Sequence, residues 1–475
     1  IFFLLFFLLV LFSLILLLVV LSCGGGGGGG GIIPPPSGGS GGSGGGGGSA
    51  NVSFNNEGYI IVETKSNNLN TNTISFNFQN SNPNVLSNSN SNNFNRNYNL
   101  GVSYRCGFVP STKSITNPNI YYSTTAPTVG DTRNFNVTDD ATNTTVSVNA
   151  KCVYVSDSPN PKYAIWVDTN NTDNYDEEQL FNTYQANIIS HFNNDYNTLT
   201  SPVGGGLNFY VDILITEKVD SSNPPGVIGY FWGFQDPQRV NVHPFTFSLN
   251  YGTYNEFNVT LAHEFIHLLE YHKSTIGNHQ SWIAEGLATY GEDLCGYFGN
   301  VRENSIIAFL QNPDTTTLVT NFPSSSNYGK SFLFVKQLDQ RFTNAWGNML
   351  SSNLDGINLI ENINGSEDFW TTVDKFNIAV LLDTNNNDPT YDFIGIDLNS
   401  ATFNNGVVRF NGWNNQTLNQ MGAANPMNSY SSYYLYKNGA FNGNIFVNNI
   451  LLMFNDFVDA NIGTWSLKVN DFSGN

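Results

Sequence analysis

The stretch Leu261–Glu270, LAHEFIHLLE, restricts this chain more than any other. His263 and His267 stand four residues apart with Glu264 directly after the first, and Leu261, Ala262, Phe265, Ile266, Leu268 and Leu269 fill in around them. So apolar a run predicts a buried helix. At 3.6 residues per turn, two residues four apart are rotated by about 40°, so both imidazoles share one face. Burying two imidazoles and a carboxylate without partners is costly. One divalent ion would supply the partner, and zinc favours imidazole nitrogen. Glu264 borders the same face, where a general base for a hydrolytic water belongs. Four of the chain's 6 histidines (His263, His267, His272, His279) fall in this neighbourhood. The rival reading is a greasy core helix with solvated histidines.

A catalytic zinc site takes three protein ligands and leaves a fourth position open. The third candidate is Glu285 in SWIAEGLATYGED, 18 residues after His267. That interval holds a turn and a second helix packed beside the first. Its rival is an exposed helix acid, but Trp282, Ile283, Leu287 and Ala288 mark a largely buried helix. Gly286 would let the two helices approach closely.

HEFIH together with WIAEGLATYGE resembles the gluzincin clan of zinc metallopeptidases, and within it the hyicolysin-like neutral zinc metallopeptidases. The resemblance covers about residues 161–385. It implies a zincin-type, thermolysin-like α+β catalytic domain holding one Zn2+ per chain. His263, His267 and Glu285 match the ligands and Glu264 the general base. Glu292, seven past Glu285, matches an acceptor that orients a ligand imidazole. Thr289 stands where the thermolysin branch has Asp, and Ala284 where Asn usually precedes the ligand Glu. NYGKSFLFVKQL resembles a gluzincin helix start that carries a tyrosine donor for the oxyanion, which points to Tyr328; His272, His279 and Tyr290 are the alternatives. In this clan an antiparallel edge strand before the zinc helix pairs with substrate backbone. That assigns the role to VNVHPFTFSLN. His243 on it could touch the site, but reads as a surface or packing residue. The aminopeptidase signature G-x-M-E-N is absent from it, which favours endopeptidase activity on protein or peptide substrates.

The first 22 residues are almost wholly apolar and are followed by Cys23 and a Gly/Ser/Pro-rich stretch. VLSC resembles a loose bacterial lipobox, so 1–22 are expected to be a signal peptide, Cys23 the lipidated residue and 23–50 a flexible tether. The competing reading is an uncleaved N-terminal anchor. Either implies membrane attachment at a bacterial cell surface or outer membrane, or a periplasmic or released protein. Short runs rich in Thr, Val, Phe and Tyr over 51–160 predict an N-terminal β-sandwich-like domain. Strands followed by helices (256–272, 281–294, 302–311, 328–342, about 366–382) fill the catalytic region 161–385. Short strands return in a C-terminal β-domain, 386–475. Cys106 and Cys152 could pair in an oxidising compartment, leaving Cys295 free and buried. VDTNNTDNYDEE lacks the order of a calcium loop and reads as a polar loop. A net charge of -19 excludes a basic nucleic-acid-binding surface. The expectation is a surface-tethered zinc metalloendopeptidase; the alternative is a catalytically decayed lipoprotein acting as an adhesin or binding module.

Overall fold

The computed structural model describes most of residues 125–398 and short strands on either side. Residues 1–47, with the expected signal peptide, Cys23 and most of the tether, lie outside the described residues. The strands in chain order are β1 (Gly48–Phe54), β2 (Gly58–Thr64), β3 (Asn72–Ile74), β4 (Arg105–Cys106), β5 (Thr132–Asp139), β6 (Thr144–Val155), β7 (Tyr163–Asp168), β8 (Val211–Ile215), β9 (Val227–Phe231) and β10 (Arg239–Val242). A mixed sheet forms in the order β4-β9-β10-β8-β7-β6-β5. Its centre, β7, β8 and β10, is parallel. β9, next to the edge strand β4, is antiparallel to β10.

β7 and β8 are buried at every position. They read as continuous apolar runs because both faces are covered. Tyr163, Ile165, Val167 and Ile213 join the helical core, while Ala164, Trp166 and Leu214 face a second cluster. The hairpin β5–β6 builds that second cluster. β6 slips register against β7 between Cys152 and Tyr154. Such an irregularity bends the strand, and the curled sheet brings Phe135 edge-on to Trp166 with ring centres 5.3 Å apart.

The helices are α1 (Glu177–Thr200), α2 (Glu256–Lys273), α3 (Ser281–Leu294), α4 (Asn300–Gln311), α5 (Ser325–Arg341), α6 (Ala345–Leu350), α7 (Gly356–Asn364) and α8 (Phe369–Leu382). α2 starts on a reciprocal capping box between Asn255 and Asn258. α5 begins three residues before the expected start, because Ser324 and Asn327 cap it. α6 and α7 were not anticipated; both are short, and α6 starts from a left-handed Asn344.

Several expectations give way here. The boundary at 160/161 falls inside a sheet, since β5 and β6 continue β7. The boundary at 385/386 falls inside the helical core, which includes Phe393, Ile396 and Leu398. The chain's two ends share sheets: β2 lies between Ser432–Lys437 and Ile450–Asp456, and β1 pairs with Phe441–Val447. The described strands of 48–74 and 425–468 thus pair with each other and do not form separate N- and C-terminal domains. The strand expected to bind substrate at its edge, β10, is interior; the antiparallel strand next to the edge is β9. Cys152 is a free, buried thiol and not half of a disulfide. Five strand-to-strand steps separate it from Cys106 in β4. At about 4.8 Å each these span roughly 24 Å, far beyond disulfide reach. Cys295 is also free but only partly buried.

Candidate metal centre

α2 buries sixteen of its residues, including His263, Glu264 and His267. The two imidazoles lie one turn apart, with ring planes 77° apart and centroids at 4.9 Å. Their Nε2 atoms meet at 3.2 Å. From α3, Glu285 brings Oε2 to 3.1 Å from His263 Nε2 and Oε1 to 3.8 Å from His267 Nε2. All three side chains are within 2% of complete burial. Among the described residues, this is the one His/Cys/Asp/Glu group whose ligand atoms gather within 4.8 Å.

Glycines set the helix spacing. A Cβ at Gly291 would collide with Ile266 of α2 and approach Trp346. A Cβ at Gly286 would sit 2.8 Å from Val335 and 3.0 Å from the Ser331 carbonyl of α5. The close approach of α2 and α3 therefore rests on Gly291. Gly286, expected to serve it, instead lets α5 pack against the far side of α3.

The donor set fits zinc. Ligand atoms held tetrahedrally at about 2.0–2.1 Å from an ion stand about 3.3 Å apart, close to the 3.2 and 3.1 Å seen between the nitrogens and Glu285 Oε2. Glu285 Oε1 is buried and has no hydrogen-bond partner among the described residues. An oxygen so placed fits an ion better than an apolar contact.

Glu264 is wholly buried. Gly229 of β9 crosses above it: a Cβ there would collide with Thr260 Cγ2 and stand 3.3 Å from Glu264 Cγ. β9, antiparallel to β10 and flanked on its other side by β4, thus passes directly over the expected general base.

Glu292 stands where it was expected, with Oε1 2.6 Å from His263 Nδ1. Arg302, from α4, hydrogen-bonds both Glu292 oxygens. Burial alone would raise the Glu292 pKa, but the Arg302 guanidinium and His263 more than reverse this and hold it below the usual carboxylate value. Glu270 is the second buried carboxylate beside the cluster. It takes hydrogen bonds from the His279 backbone N–H at 2.6 Å, from His279 Nδ1 at 2.5 Å and from Asn278 Nδ2 at 3.2 Å. Its Oε2 lies 3.7 Å from His267 Nδ1. Burial raises its pKa, yet the neighbouring imidazoles of His267 and His279 bring it down to about 2. Sequence reasoning missed Glu270 and Arg302. Glu270 was visible at i+3 from His267 on the same helix; Arg302 carried no signal, because nothing in the spacing says α4 folds back behind α3.

Tyr328 is 8% exposed, in the first turn of α5, one turn before Ser331. The alternative donors lie as follows. Tyr290 donates to Asp339 at 3.0 Å, His279 is bound to Glu270, and His272 Nε2 lies 2.6 Å from the Pro237 carbonyl. His243 is buried, which excludes a surface role, and its Nδ1 accepts from Phe245 N–H at 3.0 Å. Burial lowers its pKa to about 4. In the polar loop before α1, Asp176 serves as the helix cap, accepting from Gln179 N–H.

No protein-family model matches the chain, and no curated protein sequence matches it. Native yeast LTA4 hydrolase is similar over 50% of this chain and 41% of that one, with 15% identity and a TM-score of 0.33. Yeast LTA4 hydrolase in complex with bestatin is similar over 48% of this chain and 36% of that one, with 15% identity and a TM-score of 0.29. The chain spans less than half the length of either solved protein.

Proposed function

We propose that this chain is a zinc-dependent peptidase in which His263, His267 and Glu285 hold the ion. The observation that carries the reading is the meeting of two imidazole nitrogens and one carboxylate oxygen in a fully buried site, with Glu264 on the same helix. A bound zinc would supply Lewis acidity to the scissile carbonyl and make a water easier to deprotonate. Glu264 takes the proton of the attacking water and passes it to the leaving amine. Tyr328 donates to the carbonyl oxygen as negative charge develops on it; the resemblance of NYGKSFLFVKQL to a gluzincin helix start with a tyrosine donor supports this choice. Glu292, backed by Arg302, orients the His263 ring. The antiparallel strand lying over Glu264 is β9, which has β10 on one side and the two-residue β4 on the other.

The finer reading is an endopeptidase, supported by the missing aminopeptidase signature. Export and tethering rest on the apolar run before Cys23 and the Gly/Ser-rich stretch after it. The test is cleavage of casein or gelatin by the wild type and by Glu264→Gln. Chelator-sensitive cleavage by the wild type, lost in the variant, supports the proposal. Absence of cleavage by a zinc-loaded wild type would favour a binding module that has lost turnover.

A further inference from the structure

His263 and His267 are both buried imidazoles whose Nε2 atoms point at the same place. Each ring therefore turns its Nδ1 away from the cluster, and each Nδ1 faces a carboxylate. For His263 that carboxylate is Glu292. For His267 it is Glu270, on the same helix and wholly buried, with Oε2 at 3.7 Å, longer than a hydrogen bond. A buried carboxylate needs several donors. The donors close to Glu270 come from Asn278 and His279, in the turn between α2 and α3. Asn278 also donates to the His267 carbonyl at 3.3 Å. Gln280, the next residue, is the N-cap of α3, and Glu285 lies within the second turn of that helix.

We infer that Glu270 is a positioning residue for two of the three ligands, an inference that rests on the metal reading above. Its charge favours a hydrogen on His267 Nδ1 and so leaves the Nε2 lone pair aimed at the cluster. The same carboxylate holds the turn from which α3 departs, which fixes where Glu285 enters. A carboxylate serving only the turn would need His279 and Asn278 and nothing more. Its placement beside His267 Nδ1 is what a purely structural role does not require.

The test compares zinc binding by the wild type and Glu270→Gln, by competition with a chromophoric chelator, alongside the cobalt(II) absorption spectrum and circular dichroism. Glu270→Gln keeps the shape and an acceptor for the His279 N–H but loses the charge. The expected result is zinc binding weakened about 10- to 100-fold, with a changed cobalt spectrum and an unchanged fold. Wild-type zinc affinity in the folded variant would overturn the inference. Should Glu270→Gln not fold, 15N NMR of the metal-free wild type decides: the His267 hydrogen is expected on Nδ1, and finding it on Nε2 would overturn the inference. A wild type that binds no zinc would instead sink the metal reading itself, so the two failures are separable.

Discussion

His263 Nδ1 lies 2.6 Å from Glu292 Oε1, and Arg302 closes on the far side of that carboxylate. The three side chains form a line from α2 through α3 to α4, with Glu292 fully buried and Arg302 nearly so. The ring's orientation thus depends on a residue 39 positions along the chain. Glu292→Gln should weaken zinc binding by about 10- to 100-fold. Arg302→Met should cost about 3–5 kcal/mol of folding stability, since it strands a buried charge. Chelator competition and urea unfolding measure the two; a neutral Arg302→Met would show that Glu292 is held by other means.

Gly229 is the point where β9 meets α2. An added methyl would overlap Thr260 Cγ2. Gly229→Ala should therefore lose about 1–3 kcal/mol through overpacking and lower peptide turnover by shifting β9 relative to Glu264. Thr260→Ser deletes the clashing methyl, so the double variant should recover most of the loss in urea unfolding. A double variant no better than Gly229→Ala would place the strain elsewhere.

Much of the centre was legible because helical spacing and apolar flanks are local. HEFIH put His263 and His267 on one helical face with Glu264 at its border, and the flanks of Glu285 pointed to a second buried helix. What was not legible depends on how distant segments return. Arg302 reaches Glu292 only because α4 doubles back, and no spacing announces that. β10 resembled an exposed edge because the sequence does not say that β9 packs outside it. The expected domain boundaries failed for the same reason: short strands signal their existence but not their partners, so the pairing of β2 with strands beyond residue 430 was invisible.

Tyr328→Phe tests the oxyanion donor. It removes one hydroxyl from the first turn of α5 and leaves the ligands in place. kcat should fall by roughly 10²–10³-fold, the usual effect of losing one such donor, with zinc content unchanged. A variant with wild-type kcat would transfer the role to another group.

Asp195 offers a pH test away from the metal. Burial raises its pKa to about 7, although the Tyr297 hydroxyl donates to it at 2.7 Å. The unfolded chain loses this proton near the ordinary carboxyl value of 3.8, while the folded chain keeps it until about pH 7. The unfolded state therefore binds fewer protons in that window, and stability falls as pH rises, by at most about 1.4 kcal/mol per unit. Asp195→Asn abolishes this contribution. Relative to wild type it should gain stability between pH 5 and pH 7, by roughly that slope. Parallel pH profiles of urea unfolding for the two proteins would contradict the buried, protonated Asp195.

The most direct test of the central claim is the metal content of the purified chain, by mass spectrometry of the wild type and Glu285→Ala after exposure to zinc and gel filtration. The wild type should retain about one zinc per chain, as three protein ligands imply, and Glu285→Ala should lose most of it. A folded wild type without zinc would contradict the account, and full retention by Glu285→Ala would remove Glu285 from the site.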